Sequence, residues 1–312
     1  MLGNHYFPAL EELYDVYHTT QADMVAAEGD FFCDISVHLN RINFWPDLLL
    51  ITDESLPPLY TGLEKLDIPL IGYLIDSHIH FSWHQHFAGV FDHCFIAQKN
   101  YCKAINQFHN NCSWLPLFAP ADMSATGVRD IGISFVGTLD PRLNPERVAF
   151  IDSFRQKMNL TVAHGAYQQI FNRSRIILNQ SVRDDINFRV FEAMACGGML
   201  LTDNVGNGLE ELFTDGVHVV LYEKGDVQDA INKARYFLQH ETERQRIANA
   251  GNLAVASRHT AMQRTQIVHA TIQRFVNESP KKLKQRVKSM DETYRNVIAR
   301  YRFEQIKLQG TM

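Results

Sequence analysis

Short apolar runs closed by turn residues recur along the chain, at 48–52, 69–75, 94–97, 133–137, 160–163, 175–179, 199–202 and 218–222. Most do not alternate with polar residues, which is the pattern of strands covered on both faces. Between them lie segments with apolar residues at helical spacing, including 144–158, 187–196, 226–239 and 241–259. Strand and helix in alternation predict an α/β protein with parallel, doubly wound sheets. The polar, small-residue stretch APADMSATGVRD at 119–130 breaks this rhythm before a fresh strand begins, so the pattern predicts domains at 1–125 and 126–279. From 280 to 312 follows a polar helix whose residues Leu283, Val287, Tyr294, Val297, Ile298 and Tyr301 keep a loose helical spacing.

Length agrees with two domains, since 312 residues exceed one ordinary core. A net charge of -5 has the wrong sign for a protein whose task is gripping nucleic acid, though it leaves room for a local basic pocket. Five scattered cysteines without a CxxC pair argue against a disulfide framework or structural zinc and for a reducing compartment. The acidic, unbroken-by-apolar start (MLGNHYFPALEELYDVYH) is not a signal peptide, and no run approaches the roughly 20 apolar residues of a membrane span. A soluble cytoplasmic protein is the expectation.

The stretch 179–213, NQSVRDDINFRVFEAMACGGMLLTDNVGNGLEELF, reads as strand end, polar loop, helix, glycine stop, strand and glycine-containing loop. In an open α/β sheet, ligands bind beyond the carboxyl ends of strands. Free amides and the positive dipole end at a helix start make a seat for a diphosphate. Asn187 and Arg189 fall in that first turn, where an arginine reaches phosphate oxygens. Glu192, one turn on, is placed to accept hydrogen bonds from ribose hydroxyls; taken alone, a glutamate there is as readily a solvated helix residue. Gly206 and Gly208 serve either as a plain turn or as a donor loop.

The segment FRVFEAMACGGMLLTD, followed by GLEELF and DGVHVVLY, resembles the nucleotide-sugar half of glycosyltransferases of the GT-B fold. The nearest group is the CgeB-like, spore-maturation type, related to glycosyltransferase family four; YLIDSHIHFSWH, FDHCFIAQKNY, WLPL and SFVGTLDPRLNPERV extend the resemblance over most of the chain. It implies two Rossmann-like domains facing a cleft. It also implies transfer of a sugar from a nucleotide-diphosphate sugar, a UDP-sugar foremost, with no cofactor, to a polysaccharide, lipid-linked glycan, spore-coat component or protein. The family's ribose-binding glutamate corresponds to Glu192. Its second acid, eight residues earlier, corresponds to Asp184 with Asp185 beside it, and either aspartate is a candidate to face the sugar. The family's glycine and Arg-Lys pair on the donor diphosphate correspond to Gly137, Thr138 and Arg142; Leu143 stands in place of the lysine, so that Arg147 or Arg189 would supply the missing charge.

Histidines crowd the segment IDSHIHFSWHQHFAGVFDH. An HxH pair after a strand suggests a metal site, but on a helix His84 and His86 would point about 200° apart, and no metal site is assigned. The resemblance implies instead that a histidine at this strand end contacts the donor phosphate or sugar. His78 is the first choice and His80 the second; Asp76 would hold the imidazole tautomer or act as base toward the acceptor hydroxyl. The chemistry expected is metal-independent, with the departing diphosphate offset by helix amides, arginines and hydroxyls, and retaining by analogy with family four. A non-catalytic nucleotide-sugar-binding or scaffold module is the alternative, because no long glycine-rich loop lies near the N-terminus; a two-domain sugar epimerase is a third, lesser reading.

Overall fold

In the computed structural model the described residues are 1–28, 33–58, 60–120, 127–276 and 283–309. They divide into one unit of Met1–Pro116 with Thr265–Met312 and a second of Leu117–Arg264. This corrects the sequence boundaries. Residues 121–126, where the first boundary was expected, lie outside the described set, and residues 265–276 belong with the first unit rather than the second.

The first unit holds a five-stranded sheet of Leu2–Gly3, Leu49–Thr52, Leu70–Leu74, His93–Ile96 and Cys112–Trp114, all parallel and in chain order. Right-handed crossovers that always step the same way drop their helices on one face. On that face Leu49, Ile51, Leu70, Leu74, Cys94 and Ile96 pack with Leu39, Phe87 and Ile105 in one core. The alternate residues face the other way and are covered by the chain ends. Phe7 lies 5.4 Å from the Tyr73 ring, and Phe275 of the helix Ala261–Val276 lies 6.0 Å from His93. The helix Leu283–Thr293 adds a deep anchor: Arg286, only 2% exposed, donates to the Leu66 carbonyl and the Asp92 carboxylate, each at 2.6 Å. After one wider π-type turn at Tyr294–Ile298 the helix continues over Ala299–Gln309. Pro280, the expected start of this polar helix, is not among the described residues.

The second unit has its own parallel sheet of Ile131–Val136, Thr161–Ala163, Ser174–Leu178, Met199–Asp203 and Val220–Tyr222. Counted in chain order its strands lie side by side as 5-4-3-1-2, so the winding reverses between Ile131–Val136 and Ser174–Leu178. The helices Pro145–Arg155, Val227–Gln239 and Glu241–Arg258 bury Ile151, Phe154, Ile231 and Ile247 against Ile133, Ile176 and Leu201. Every strand expected here is present to within two residues; Leu2–Gly3 and Cys112–Trp114 of the first unit were not anticipated. Among the described residues no helix is long and apolar enough to cross a membrane.

Candidate active site

Ligands of open parallel sheets settle where the winding reverses, beyond the strands' carboxyl ends. In the second unit that place is framed by Val136-Gly137, by Asn179–Arg183, and by the start of the helix Phe188–Ala195. Its far end shows why the sequence folds so sharply there. Gly197 adopts φ +72°, its amide bonds the Met194 carbonyl at 2.9 Å, and the Gly198 amide reaches the Ala193 carbonyl at 3.3 Å. This is the double bond of a left-handed helix stop, which glycine adopts without a Cβ penalty. Thus the CGG triplet ends the helix and returns the chain directly into Met199–Asp203.

At the other end Asn187 precedes the helix without capping it through its side chain; its Nδ2 donates to Asn179 Oδ1 at 3.4 Å, and its own buried Oδ1 has no hydrogen-bond partner among the described residues. Arg189 tethers two strand ends. Its Nε donates to the Val136 carbonyl at 2.7 Å and its Nη1 to Asn179 Oδ1 at 2.6 Å, while its guanidinium lies 4.7 Å from the Phe135 ring centre. Burial, reinforced by the neighbouring Arg147, lowers the Arg189 pKa to about 10, so the group stays cationic at neutral pH. Gly137 is required by this packing: a Cβ there would stand 2.2 Å from Arg189 Nη2. Arg147, 7% exposed, donates to Gln180 Oε1 at 3.2 Å and to the Gln180 carbonyl at 2.8 Å.

Arg142 is placed differently from the sequence expectation. It is exposed and held on its own turn by Asp140, with Nη2 and Oδ2 2.7 Å apart, so contact with a phosphate would require giving up that pair. Thr138 is exposed, with Oγ1 3.5 Å from His164 Nε2. Glu192 is partly enclosed; burial raises its carboxyl pKa, opposed by a hydrogen bond from Tyr167 and by the charge of Arg189. Arg183 and Asp184 both adopt left-handed backbone, φ +50° and +62°, a costly conformation for side-chain-bearing residues. The turn is braced by Asn207 Nδ2 on the Asp184 carbonyl at 3.0 Å and by an ion pair between Lys224 and the Asp184 carboxylate. Asp185, by contrast, is buried.

Beneath these groups lies a polar layer the sequence reading did not single out. Asn179 donates to Thr202 Oγ1 at 2.9 Å and accepts Tyr222 Oη on its carbonyl at 2.7 Å. Asp203, 1% exposed, accepts the Ser181 amide at 3.0 Å; burial raises its pKa and these donors pull it back. A polar residue ending each of two apolar strands was the available signal.

In the first unit, strand ends carry a second cluster. Asp76 precedes the helix Ser77–Phe87 and accepts Ser55 Oγ at 2.5 Å, with His80 Nε2 3.1 Å from the same hydroxyl. Ser55 itself is left-handed, φ +57°. His78 is buried in the first turn. The most enclosed histidine is His84, which meets Ser77 Oγ at 2.8 Å through Nδ1 and faces the Asp53 carboxylate across 3.3 Å without hydrogen-bond alignment. Burial would raise the Asp53 carboxyl, but His84 and the Ser55 and Ile75 amides bring it below its ordinary value. Sequence reasoning reached His78, His80 and Asp76, weighed His84 only as a metal ligand, and passed over Ser55 and Asp53.

Residues 123–270, just under half the chain, match the family described as "Glycosyl transferase-like". No curated protein matches the sequence. Among solved structures, Anabaena HepE in complex with UDP-glucose is similar over 87% of this chain and 90% of its own, with TM-score 0.59 and 13% identity. A glycosyltransferase from Rickettsia africae is similar over 89% of both chains, with TM-score 0.57 and 9% identity. An S. aureus TarM mutant is similar over 78% of this chain, TM-score 0.55 and 10% identity, but this chain spans only 58% of it. The chain therefore has the two-unit α/β architecture of GT-B glycosyltransferases, and its residues 123–270 carry the glycosyl transferase-like sequence pattern.

Proposed function

We propose that this chain is a glycosyltransferase of the hexosyltransferase type that moves a sugar from a nucleotide-diphosphate sugar, a UDP-sugar foremost, to a glycan, lipid-linked or protein acceptor in the cytoplasm. In this reading it belongs with the CgeB-like proteins related to family four, uses no metal ion and retains the anomeric configuration. The observation that carries the proposal is the start of the helix Phe188–Ala195, which opens beside two enclosed arginines, Arg147 and Arg189, where the winding of the second sheet reverses. A diphosphate gains negative charge as the anomeric bond breaks, and helix amides with fixed cations offset that charge without reorganising. HepE, of the same fold, has been solved in complex with UDP-glucose, which supports a uridine donor.

The roles follow. Glu192 binds the ribose, Asn187, Arg147 and Arg189 shape the diphosphate seat with Gly137 and Thr138, and Asp184 or Asp185 serves the sugar. His78 serves the phosphate or the transferred sugar, and Asp76, oriented by Ser55, acts as base toward the acceptor. Glu192→Ala is expected to weaken UDP binding roughly tenfold to a hundredfold while leaving the melting temperature within a few degrees. His78→Ala is expected to depress UDP-glucose turnover far more than UDP affinity. Calorimetry and donor-turnover assays in the presence of EDTA read both. A wild-type chain that binds no nucleoside diphosphate overturns the proposal, and turnover abolished by EDTA overturns its metal-free part.

A further inference from the structure

We infer that the first unit carries a binding site for a neutral glycan chain, apart from the cluster around Asp76. A cavity of about 320 Å³ opens at the amino-terminal ends of Leu2–Gly3 and Leu49–Thr52, the opposite end of the sheet from Ser55 and Asp76. That volume is at the lower end of the roughly 300–1,000 Å³ of small-ligand clefts. Tyr14, Tyr17, Phe44 and Trp45 wall it, Leu50 and Ile272 close its floor, and Asp15 and Asp47 stand exposed on its lining. The site uses none of the residues given to the donor above; in the glycosyltransferase reading the chain it holds is the acceptor's.

The rings are fixed before any ligand arrives. The helix Ile35–Ile42 ends on Asn43, left-handed at φ +52°, with the Asn43 amide on the Asn40 carbonyl at 3.1 Å and the Phe44 amide on the Leu39 carbonyl at 3.3 Å. This double stop turns Phe44 and Trp45 out of the helix, and Pro46 confines Trp45 to extended backbone. The Phe44 ring lies 5.6 Å from that of Tyr17. Tyr14 Oη is held by His269 Nδ1 at 2.8 Å and by Gln273 Nε2 at 2.9 Å. Rings held in this way lose little freedom on binding. Trp45 still shows 59% of its surface to water and Tyr17 38%, so flat apolar area remains for a ligand to cover.

A sugar ring matches this surface on two counts. Its C–H face is apolar and lies flat on an indole or phenol, and its hydroxyls donate to carboxylates at the edge. No lysine, arginine or histidine side chain is among the described lining residues, and the Met1 amine on the wall is given to the Tyr17 carbonyl at 2.6 Å. With Asp15 and Asp47 as the charges that face a ligand, a uronate, sulfate or phosphate is repelled, as is an anionic membrane surface. A small ammonium gains little, because both carboxylates are exposed and stay hydrated.

Titration calorimetry of the whole chain with maltotetraose, cellotetraose and chitotetraose tests this, with a hyaluronan tetrasaccharide as the anionic probe and choline as the cationic one. At least one neutral tetrasaccharide should bind, and Trp45→Ala should weaken that binding at least about tenfold. Trp45→Phe, which keeps an aromatic face, should stay within roughly threefold of the wild type. UDP affinity should be the same in all three chains, because Trp45 belongs to the first unit and the donor seat to the second. Absence of binding by every neutral tetrasaccharide at about 5 mM, tighter binding of hyaluronan or choline, or equal binding by Trp45→Ala overturns the site. Oligosaccharide binding by a chain that binds no UDP leaves this site standing and overturns the donor reading instead.

Discussion

Gly137→Ala probes the packing that builds the candidate phosphate seat. The backbone at Gly137 is not left-handed, so alanine can adopt it, and only the added methyl matters. That carbon would sit 2.2 Å from Arg189 Nη2 and 3.1 Å from Phe135 Cζ. The tip of an arginine usually swings away at little cost, but this one is tied by Nε to Val136 and by Nη1 to Asn179. Moving it breaks two charge-assisted hydrogen bonds. With partial rehydration of the guanidinium we put the loss at roughly 3 kcal/mol, less about 0.5–1 kcal/mol gained from the stiffer unfolded chain, for a net of about 2 kcal/mol. Urea unfolding of Gly137→Ala, Arg189→Ala and the double variant measures this as a coupling energy. In the Arg189→Ala background, Gly137→Ala should cost less than about 0.5 kcal/mol, because the obstacle is gone. If the methyl costs as much without the arginine as with it, or costs nothing in the wild type, the packing argument is refuted.

Two further outcomes follow from buried charge. Arg286→Ala leaves the Asp92 carboxylate inside the first unit with, among the described residues, only the Leu70 amide as donor, at 2.8 Å, and should lower unfolding free energy by about 3–5 kcal/mol; a loss under about 1 kcal/mol in urea unfolding would show that this pair does not anchor the C-terminal helix. The second concerns pH. Burial, with Arg264 nearby, holds His259 at about 3, and burial, with Arg274 nearby, holds His93 at about 4. Both values lie below the unfolded value near 6.5, so on acidification the unfolded chain takes up protons that the folded one refuses. Their contribution is fully present above pH 6.5 and should be lost as pH falls toward 4 and 3, with roughly 2–4 kcal/mol gone by pH 5 for the two together. Unfolding midpoints at pH 7 and pH 5 for the wild type and His259→Gln read this out, and an identical pH slope in both would refute the assignment to His259.

Much of the second unit was legible from the chain alone. Its strands are unbroken apolar runs and its helices carry one apolar stripe, and both signals are written in neighbours a few residues apart. The FEAMACGG segment is legible for the same reason, since a helix, its left-handed stop and the next strand are all local events. Leu2–Gly3 and Cys112–Trp114 escaped notice because two or three residues are too few to show a period. The site was harder to read. Seven arginines lie from 142 to 189, and nothing in their local sequence says that Arg142 folds back on Asp140 while Arg147 and Arg189 are drawn under the strand ends. Their partners Gln180, Val136 and Asn179 lie 33, 53 and 10 residues away.

The chain alone thus settled the class of fold, the order of its elements and the turn that carries the candidate donor helix, because these depend on short-range periodicity and backbone sterics. The return of residues 265–276 and 283–309 to the first unit, the pairing of Arg286 with Asp92, and the choice of arginines at the seat were decided only by tertiary structure. A parallel sheet joins strands separated by long crossovers, and a buried cation takes whichever acceptors those strands bring to it.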